Sequence, residues 1–178
     1  MSSIVLSGDT SGSVTVSVPA VSGSNTVTIP AVTGTVMVSS NMPAFSAYIS
    51  ATQSVTSGTD TKIAFNTEEF DTANAFDSTT NYRFTPQVAG YYQISIGLTG
   101  AGTAVTDVEI AIYKNGSYYK RGMTQGSSNQ VGMSVLMYLN GSTDYIEFYG
   151  TVVGTSPSFY GANPPRYTWV TGYLARTA

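Results

Sequence analysis

The sequence predicts an all-β protein, built as a sandwich or jelly roll, from three observations. Short runs rich in Val, Ile, Thr, Tyr and Phe recur along most of the chain, with turn residues between them. Two Asn-Gly pairs, Asn115-Gly116 and Asn140-Gly141, stand between such runs and favour tight hairpins, although the second loop has room to be wider. No segment carries a long amphipathic helical pattern, and Glu68–Asn74 would form at most one helical turn.

Residues 1–43 form the first predicted domain, an extended N-terminal β arm. Residues 1–40 contain no aromatic side chain and one charged side chain, Asp9. Pro-Ala-Val-Ser-Gly at 19–23 recurs as Pro-Ala-Val-Thr-Gly at 30–34, and strand-like runs at 13–18 and 26–29 precede the two copies. Such an arm is too small to fold alone, so we expect it to pair with other chains or lie along a neighbouring surface. A disordered Ser/Gly-rich tail is the alternative.

Residues 44–178 form the second predicted domain, the head. Its pattern predicts nine strands, and in the run 108–112 Val108, Ile110 and Ile112 are expected to face a core. The predicted strands are 44–50, 61–66, 82–86, 90–98, 107–114, 117–123, 133–139, 144–152 and 168–174.

The composition excludes several kinds of chemistry. The 178 residues include no cysteine and no histidine, which excludes disulfides, thiolate nucleophiles and Ser–His–Asp catalysis. Charged residues make up 10% of the chain and the net charge is −3, so no basic surface for nucleic acid is expected. No apolar run is long enough to span a membrane. Sparse charge with 12% aromatic residues favours a surface covered by subunit contacts.

Three groups of charged residues are not interpreted as functional sites, and the first and third of them are expected to be solvated. The acidic run at 68–71 lacks the alternating ligands and glycine of a calcium loop. Asp144 and Glu147 lie three apart on a predicted strand, so they should point to opposite faces. Lys120-Arg121 could contact a phosphate or a sialic acid, but a hairpin end is the simpler interpretation. We therefore predict no catalytic residues, metal site or cofactor.

An ordered set of short segments runs through the head. The segments are Phe45-Ser46-Ala47, Lys62–Asn66, Phe76-Asp77, Tyr82–Pro86, Gly90-Tyr91-Tyr92, Lys114-Asn115-Gly116, Leu139-Asn140-Gly141, Asp144-Tyr145-Ile146 and Gly172-Tyr173-Leu174. In their order and spacing the head resembles the globular head of complement, within the tumour-necrosis-factor-like superfamily. This resemblance implies a jelly-roll sandwich that assembles as a tight homotrimer. The sequence departs from that family at Trp169, where the family usually carries Phe near the last glycine, and no collagen-like stalk precedes the head.

Two groups of residues, both rich in aromatic side chains, are the candidate sites. The first comprises six residues to be divided between the core and a trimer interface, and the second lies in the segment 154–167, where rings, an amide and a guanidinium could bind a sugar. A connection packed on a neighbouring subunit is the alternative for that segment. The first group is Tyr91, Tyr92, Tyr145, Phe148, Trp169 and Tyr173; the second is Phe159, Tyr160, Asn163, Arg166 and Tyr167.

The arm resembles those on proteins of tailed bacteriophages, and this resemblance implies a virion protein. We expect a non-enzymatic, trimeric capsid decoration (cement) protein on the virion surface, whose arm docks on the major capsid protein. The alternative is the tip of a tail or head fibre that binds host-surface glycans. A glycan-degrading enzyme is not expected, because the sequence lacks histidine, cysteine and carboxylates in register.

Overall fold

The computed structural model describes residues 3–21, 23–28, 31, 33, 36–38, 42–125 and 129–178. The chain divides into two compact units, Met1–Gly34 and Thr35–Ala178. The described residues form strands and turns only, and none of them belongs to a helix that could cross a membrane.

The first unit contains an antiparallel hairpin of β1 (Ser3–Ser7) and β2 (Ser13–Ser17). Its register pairs Ile4 with Val16 and Leu6 with Val14, so one face of the ribbon carries four aliphatic side chains. All four are more than half exposed. The hairpin confirms the first strand-like run of the arm. Residues 26–28 of the second strand-like run form no strand. The last residue of that run, Ile29, lies outside the described residues, as do Ser22, Pro30, Val32 and Gly34 of the repeat and Asn41 near the predicted domain boundary.

The second unit contains eleven strands within its described residues. They are β3 (Ala44–Tyr48), β4 (Gln53–Ser54), β5 (Thr61–Lys62), β6 (Thr67–Asp71), β7 (Phe76–Asp77), β8 (Arg83–Phe84), β9 (Gly90–Lys114), β10 (Ser117–Gln125), β11 (Gln130–Leu139), β12 (Ile146–Phe159) and β13 (Trp169–Thr177).

Two sheets share the long strand β9. The amino-terminal half of β9 lies between β11 and β13, and the order of this first sheet is β6-β3-β13-β9-β11. The carboxyl-terminal half lies between β10 and β12 in the second sheet, where the far edge of β12 pairs with the short strands β4, β5 and β8. The chain bends between the halves, where Gly102 and Ala104 have φ of 141° and 52°.

The core lies between the two sheets. Phe45 of the first sheet stacks on Phe84 and Phe76 of the second, with ring centroids 4.4 and 5.0 Å apart. Val108, Ile110 and Ile112 are fully buried, which confirms the alternation predicted for this strand. Met37 also packs against this core, so the packing of the head begins before residue 44.

The structure corrects four sequence predictions. The segments predicted as strands 90–98 and 107–114 are one bent strand, because residues 100–103 also pair with β12. Glu68–Asn74 contributes to strand β6 rather than a helical turn, because β6 pairs with the edge of β3. The hairpin predicted at Asn140-Gly141 does not form, because this pair connects β11 and β12, which belong to different sheets. The hairpin predicted at Asn115-Gly116 is confirmed: this pair connects β9 and β10, with φ of 54° and 75°. The segment 154–167 is a loop only from residue 160, since β12 continues to Phe159.

Candidate functional site

The outward face of the first sheet carries large side chains that the core does not use. In β11 the residues Val135, Met137 and Leu139 are buried, whereas Leu136 and Tyr138 between them are 53% and 42% exposed. The same alternation brings residues of β9 and β13 outward. We call this surface the aromatic face and define it by Tyr91, Leu136, Tyr138, Trp169 and Tyr173.

The centre of the aromatic face is a row of short hydroxyl side chains. The register aligns Ser134, Ser95, Thr171 and Ser46 across four neighbouring strands. The Oγ atoms of Ser95 and Ser134 lie 2.9 Å apart, and the Oγ1 of Thr171 donates to the carbonyl oxygen of Phe45 at 3.0 Å. Because these hydroxyls already have partners inside the sheet, covering the row would leave few polar groups without hydrogen bonds.

At one end of the aromatic face, rings stand above a shallow apolar cavity. The rings of Tyr91 and Tyr138 are directly opposite in the register, with centroids 5.6 Å apart. The guanidinium of Arg176 lies 5.1 Å from the centroid of Tyr91. A cavity of about 300 Å³ opens between Tyr91, Leu136, Ala175 and Arg176. It has the size to receive a side chain from a second molecule.

At the opposite end, Trp169 lies across the backbone of β9. A Cβ atom on Gly97 would lie 2.6 Å from the indole Nε1, so only glycine admits the ring at this distance. Gly132 is opposite Gly97 on β11, and the space above it is nearly open. A cleft of about 340 Å³ lies over these glycines, and its lining includes Arg166, Tyr167 and Trp169.

The structure places the six predicted aromatic residues in three locations. Tyr92 and Phe148 are fully buried in the core. Tyr145 lies next to β12 in the second sheet, where the guanidinium of Arg83 is 4.5 Å from its ring centroid. The aromatic face therefore contains three of the six, Tyr91, Trp169 and Tyr173, which are 37%, 36% and 52% exposed.

The prediction missed two members of the aromatic face, Leu136 and Tyr138. The run 135–139 is apolar throughout, so the sequence indicates large groups on both faces of a strand without showing which of them point outward. Val131 and Val135 are buried, and in a strand every second side chain points to the same side. Counting from these two valines therefore places Leu136 and Tyr138 on the outward side.

Comparison with solved structures identifies the architecture. The tumour-necrosis-factor protein Eiger of S. frugiperda has a TM-score of 0.57 at 10% identity, covering 77% of this chain and 93% of that chain. Murine APRIL at pH 8.5 has a TM-score of 0.55 at 10% identity, covering 75% and 98%. The PRD1 vertex protein P5 has a TM-score of 0.53 at 12% identity, covering 76% and 73%. No family model and no curated protein matches the sequence.

The head is a tumour-necrosis-factor-like jelly roll. The likeness covers about three quarters of the chain at low identity, so it establishes the fold. Within this jelly roll, the aromatic face belongs to one sheet and the short strands β4, β5, β7 and β8 belong to the other.

The predicted ligand loop is shorter in the jelly roll than the sequence indicates. Phe159 is fully buried as the last residue of β12, so it is not available to a ligand. Tyr160 and Tyr167 are 39% and 38% exposed, and their ring centroids lie 4.9 Å apart. Asn163 is exposed. Arg166 bridges to Glu69 at 3.1 Å and lies 4.7 Å from the ring centroid of Tyr48, so its guanidinium already has partners.

The carboxylates of the acidic run are used within the jelly roll. Glu69 accepts from the Ser46 hydroxyl at 2.5 Å, and Glu68 accepts from the Ser78 hydroxyl at 2.6 Å. Asp71 accepts from the backbone N–H groups of Ala73 and Phe76. In the part of the chain that the structure describes, no three His, Cys, Asp or Glu side chains are placed to share a metal ion. The run therefore stabilises the fold locally.

Asp144 and Glu147 belong to separate ion pairs in the jelly roll. Asp144 pairs with Lys114 at 2.9 Å, and Glu147 pairs with Lys62 at 2.5 Å. Burial acts to raise the pKa of Asp144, but hydrogen bonds from Asn115 and Lys114 outweigh it and lower the pKa. Arg121 of the predicted hairpin end pairs with Glu109. Each of these charged groups therefore has an ion-pair partner within the jelly roll.

Proposed function

We propose that this protein is a non-enzymatic structural protein that works as a homotrimer on a virion surface. The aromatic face is the observation that carries the proposal. In a single copy the side chains of Leu136, Tyr138 and Tyr173 are exposed to solvent, whereas a second copy of the jelly roll would cover them. The trimeric number follows from the resemblance of the sequence to complement and tumour-necrosis-factor-like heads.

The composition of the aromatic face supports contact with another copy. Burying one large aromatic side chain contributes roughly 1.5–3 kcal/mol. The charged neighbours Arg176 and Lys114 lie over the rings of Tyr91 and Tyr138, where they can remain near the rim of a contact. The hydroxyls at the centre of the face are already hydrogen-bonded within the sheet, and the aromatic side chains at both ends are of the kind enriched in protein interfaces.

The arm supplies the second half of the proposal, which is docking on the particle. The hairpin exposes Ile4, Leu6, Val14 and Val16 on one face, and an isolated two-stranded ribbon of this kind is marginally stable in water. We propose that this face packs on a coat subunit, such as the major capsid protein, while the jelly roll projects outward. A capsid decoration protein of this design would stabilise the shell.

The comparison with the PRD1 vertex protein P5 supports a place on a particle. A protein with this fold is named as a vertex protein there. The pairing of a Val/Ser/Thr arm with this head supports the same location.

The experiment adds purified protein to particles assembled without it. The full chain should co-sediment with the particles and raise the temperature at which they open. Ile4→Asp together with Val16→Asp should abolish co-sedimentation while leaving the solution mass of the protein unchanged. Ser7→Asp with Ser13→Asp, a cross-strand pair on the other ribbon face, is the control and should still bind. Equal binding by both variants would contradict docking through the aliphatic face.

A fibre tip that binds host glycans is the second candidate function. The exposed pair Tyr160 and Tyr167 beside the cleft over Gly97 and Gly132 favours it, because aromatic rings stack on sugar faces. Cell adsorption that is lost on Tyr160→Ala and Tyr167→Ala, with unchanged co-sedimentation on particles, would favour this function over decoration.

A further inference from the structure

A row of tyrosines crosses the outward face of the second sheet, on the side of the jelly roll opposite the aromatic face. Tyr118 of β10, Tyr113 of β9 and Tyr149 of β12 form this tyrosine row. The ring centroid of Tyr113 lies 5.4 Å from that of Tyr118 and 4.1 Å from that of Tyr149. Tyr118 is 48% exposed and the other two are partly exposed. Three strands therefore hold a platform of adjacent, partly exposed rings, whose planes are inclined by 34° between Tyr113 and Tyr149 and by 70° between Tyr113 and Tyr118.

A hydrogen bond holds Tyr113, the middle ring of the tyrosine row, in place before any ligand arrives. The hydroxyl of Tyr113 donates to Asp60 Oδ2 at 3.1 Å, and the other oxygen of Asp60 accepts from Thr151. Lys62 lies 5.8 Å from the ring centroid of Tyr149. Burial raises the pKa values of Tyr113, Tyr118 and Tyr149, so the phenols stay neutral. A platform on rigid strands loses little freedom on binding.

The charges around the row cancel. The outward side chains of this sheet include Lys62, Arg83 and Arg121, matched by Asp60, Glu109 and Glu147. Lys62 pairs with Glu147 and Arg121 pairs with Glu109. A site without excess positive charge does not select phosphate, sulfate or sialic acid, yet its carboxylates and ammonium group can bind hydroxyls.

We propose that the tyrosine row is a binding platform for neutral oligosaccharides. The rings stack on the apolar faces of sugar residues, and Asp60, Lys62 and Glu147 bind ring hydroxyls at the edge of the platform. The site goes beyond the proposed structural function and leaves it intact, because the row lies on the sheet opposite the aromatic face. It also differs from the loop of Tyr160 and Tyr167.

The test is saturation-transfer NMR on the full chain with maltose, lactose, mannobiose and diacetylchitobiose at millimolar concentration, followed by an array of neutral oligosaccharides. We expect at least one neutral sugar to bind and to shift the ring signals of the three tyrosines. Tyr118→Ala and Tyr149→Ala should each weaken its binding about tenfold. Tyr118→Phe should retain most of it, since the stacking ring remains.

Two controls make the proposal falsifiable. Phe70→Ala, on β6 of the first sheet, and Tyr160→Ala, in the loop, should leave the affinity unchanged. Binding to no neutral sugar, preference for sialylated over neutral lactose, or loss of binding on Tyr160→Ala instead would each overturn the proposal. The ring shifts in the unmodified chain give an answer even where an alanine variant fails to fold. The solution mass is measured separately, so failure here leaves the assembly proposal standing.

Discussion

Trp169 rests directly on Gly97, with the indole Nε1 2.6 Å from where a Cβ on that glycine would be. The register places the two residues opposite each other on neighbouring strands of the first sheet. Because Gly97 has no side chain, the indole ring can lie against the backbone of β9 at one end of the aromatic face. The glycine on β9 thus determines where the side chain from β13 lies.

Gly97→Ala should lift the ring of Trp169 from the strand. Overpacking of this kind costs about 1–3 kcal/mol of unfolding free energy. Trp169 is the only tryptophan, so a change in its fluorescence spectrum reports the displacement. In a Trp169→Ala background the same glycine substitution should be close to neutral, and denaturant unfolding of the four proteins in the cycle measures this coupling. Equal costs in both backgrounds would contradict the contact.

Tyr138→Arg should dissociate the assembly. The substitution puts a charge into one end of the proposed contact, close to the cations Lys114 and Arg176, where burial would desolvate it. The expected outcome is a monomer at micromolar concentration by sedimentation velocity. Tyr118→Arg is the matched control, since Tyr118 is similarly exposed on the other sheet, and it should keep the mass of the unmodified protein. Dissociation by both variants, or by neither, would argue against the aromatic face.

Tyr92 should make the protein less stable in alkali. Burial raises the pKa of its phenol from 10.0 to about 12, and the hydroxyl donates to the carbonyl oxygen of Val88 at 2.7 Å. The unfolded chain loses this proton near pH 10 while the folded chain keeps it. The contribution is therefore fully present below pH 10 and is lost as pH rises to 12, by up to about 3 kcal/mol.

Comparison with Tyr92→Phe isolates this effect. The variant should lose about 1 kcal/mol at neutral pH with the missing hydrogen bond. Its unfolding free energy should then fall less steeply between pH 10 and 12, as measured by urea unfolding at fixed pH. Parallel pH profiles for the two proteins would show that Tyr92 does not carry the dependence.

Asp77 should stabilise the turn that follows β7. Its carboxylate accepts hydrogen bonds from the backbone N–H groups of Thr80, Thr79 and Asn81, and these bonds lower its pKa well below 3.8. The contribution is present above pH 4 and is lost as the pH falls further. Asp77→Ala should cost about 0.5–2 kcal/mol at pH 7, by analogy with a helix cap, and less at pH 2. Thermal unfolding at both pH values checks this.

Local signals in the sequence predicted much of the fold. The Asn115-Gly116 turn was predictable because both residues tolerate positive φ, and the alternation of Val108, Ile110 and Ile112 marked a half-buried strand. The same dipeptide at Asn140-Gly141 does not make a hairpin. Which sheet receives the next strand depends on partners distant in the chain, and a turn motif carries no such information.

The candidate site was predictable only in part, for the same reason. Tyr91 and Tyr92 are adjacent, so one must face inward and the other outward, but the two assignments look alike in the sequence. The pairing of β9 with β11 determines that Tyr92 faces the core and Tyr91 faces outward. Phe159 was assigned to a loop because Gly and Pro surround it, yet tertiary packing overrides that composition and continues β12 to this residue.

Sedimentation equilibrium of the purified full chain tests the central claim most directly. Three copies of the 18.7 kDa chain would give a mass of about 56 kDa that persists at micromolar concentration. The account predicts this mass, with Tyr91, Tyr138, Trp169 and Tyr173 protected from solvent. A stable, well-behaved species of 18.7 kDa with those rings exposed would contradict it.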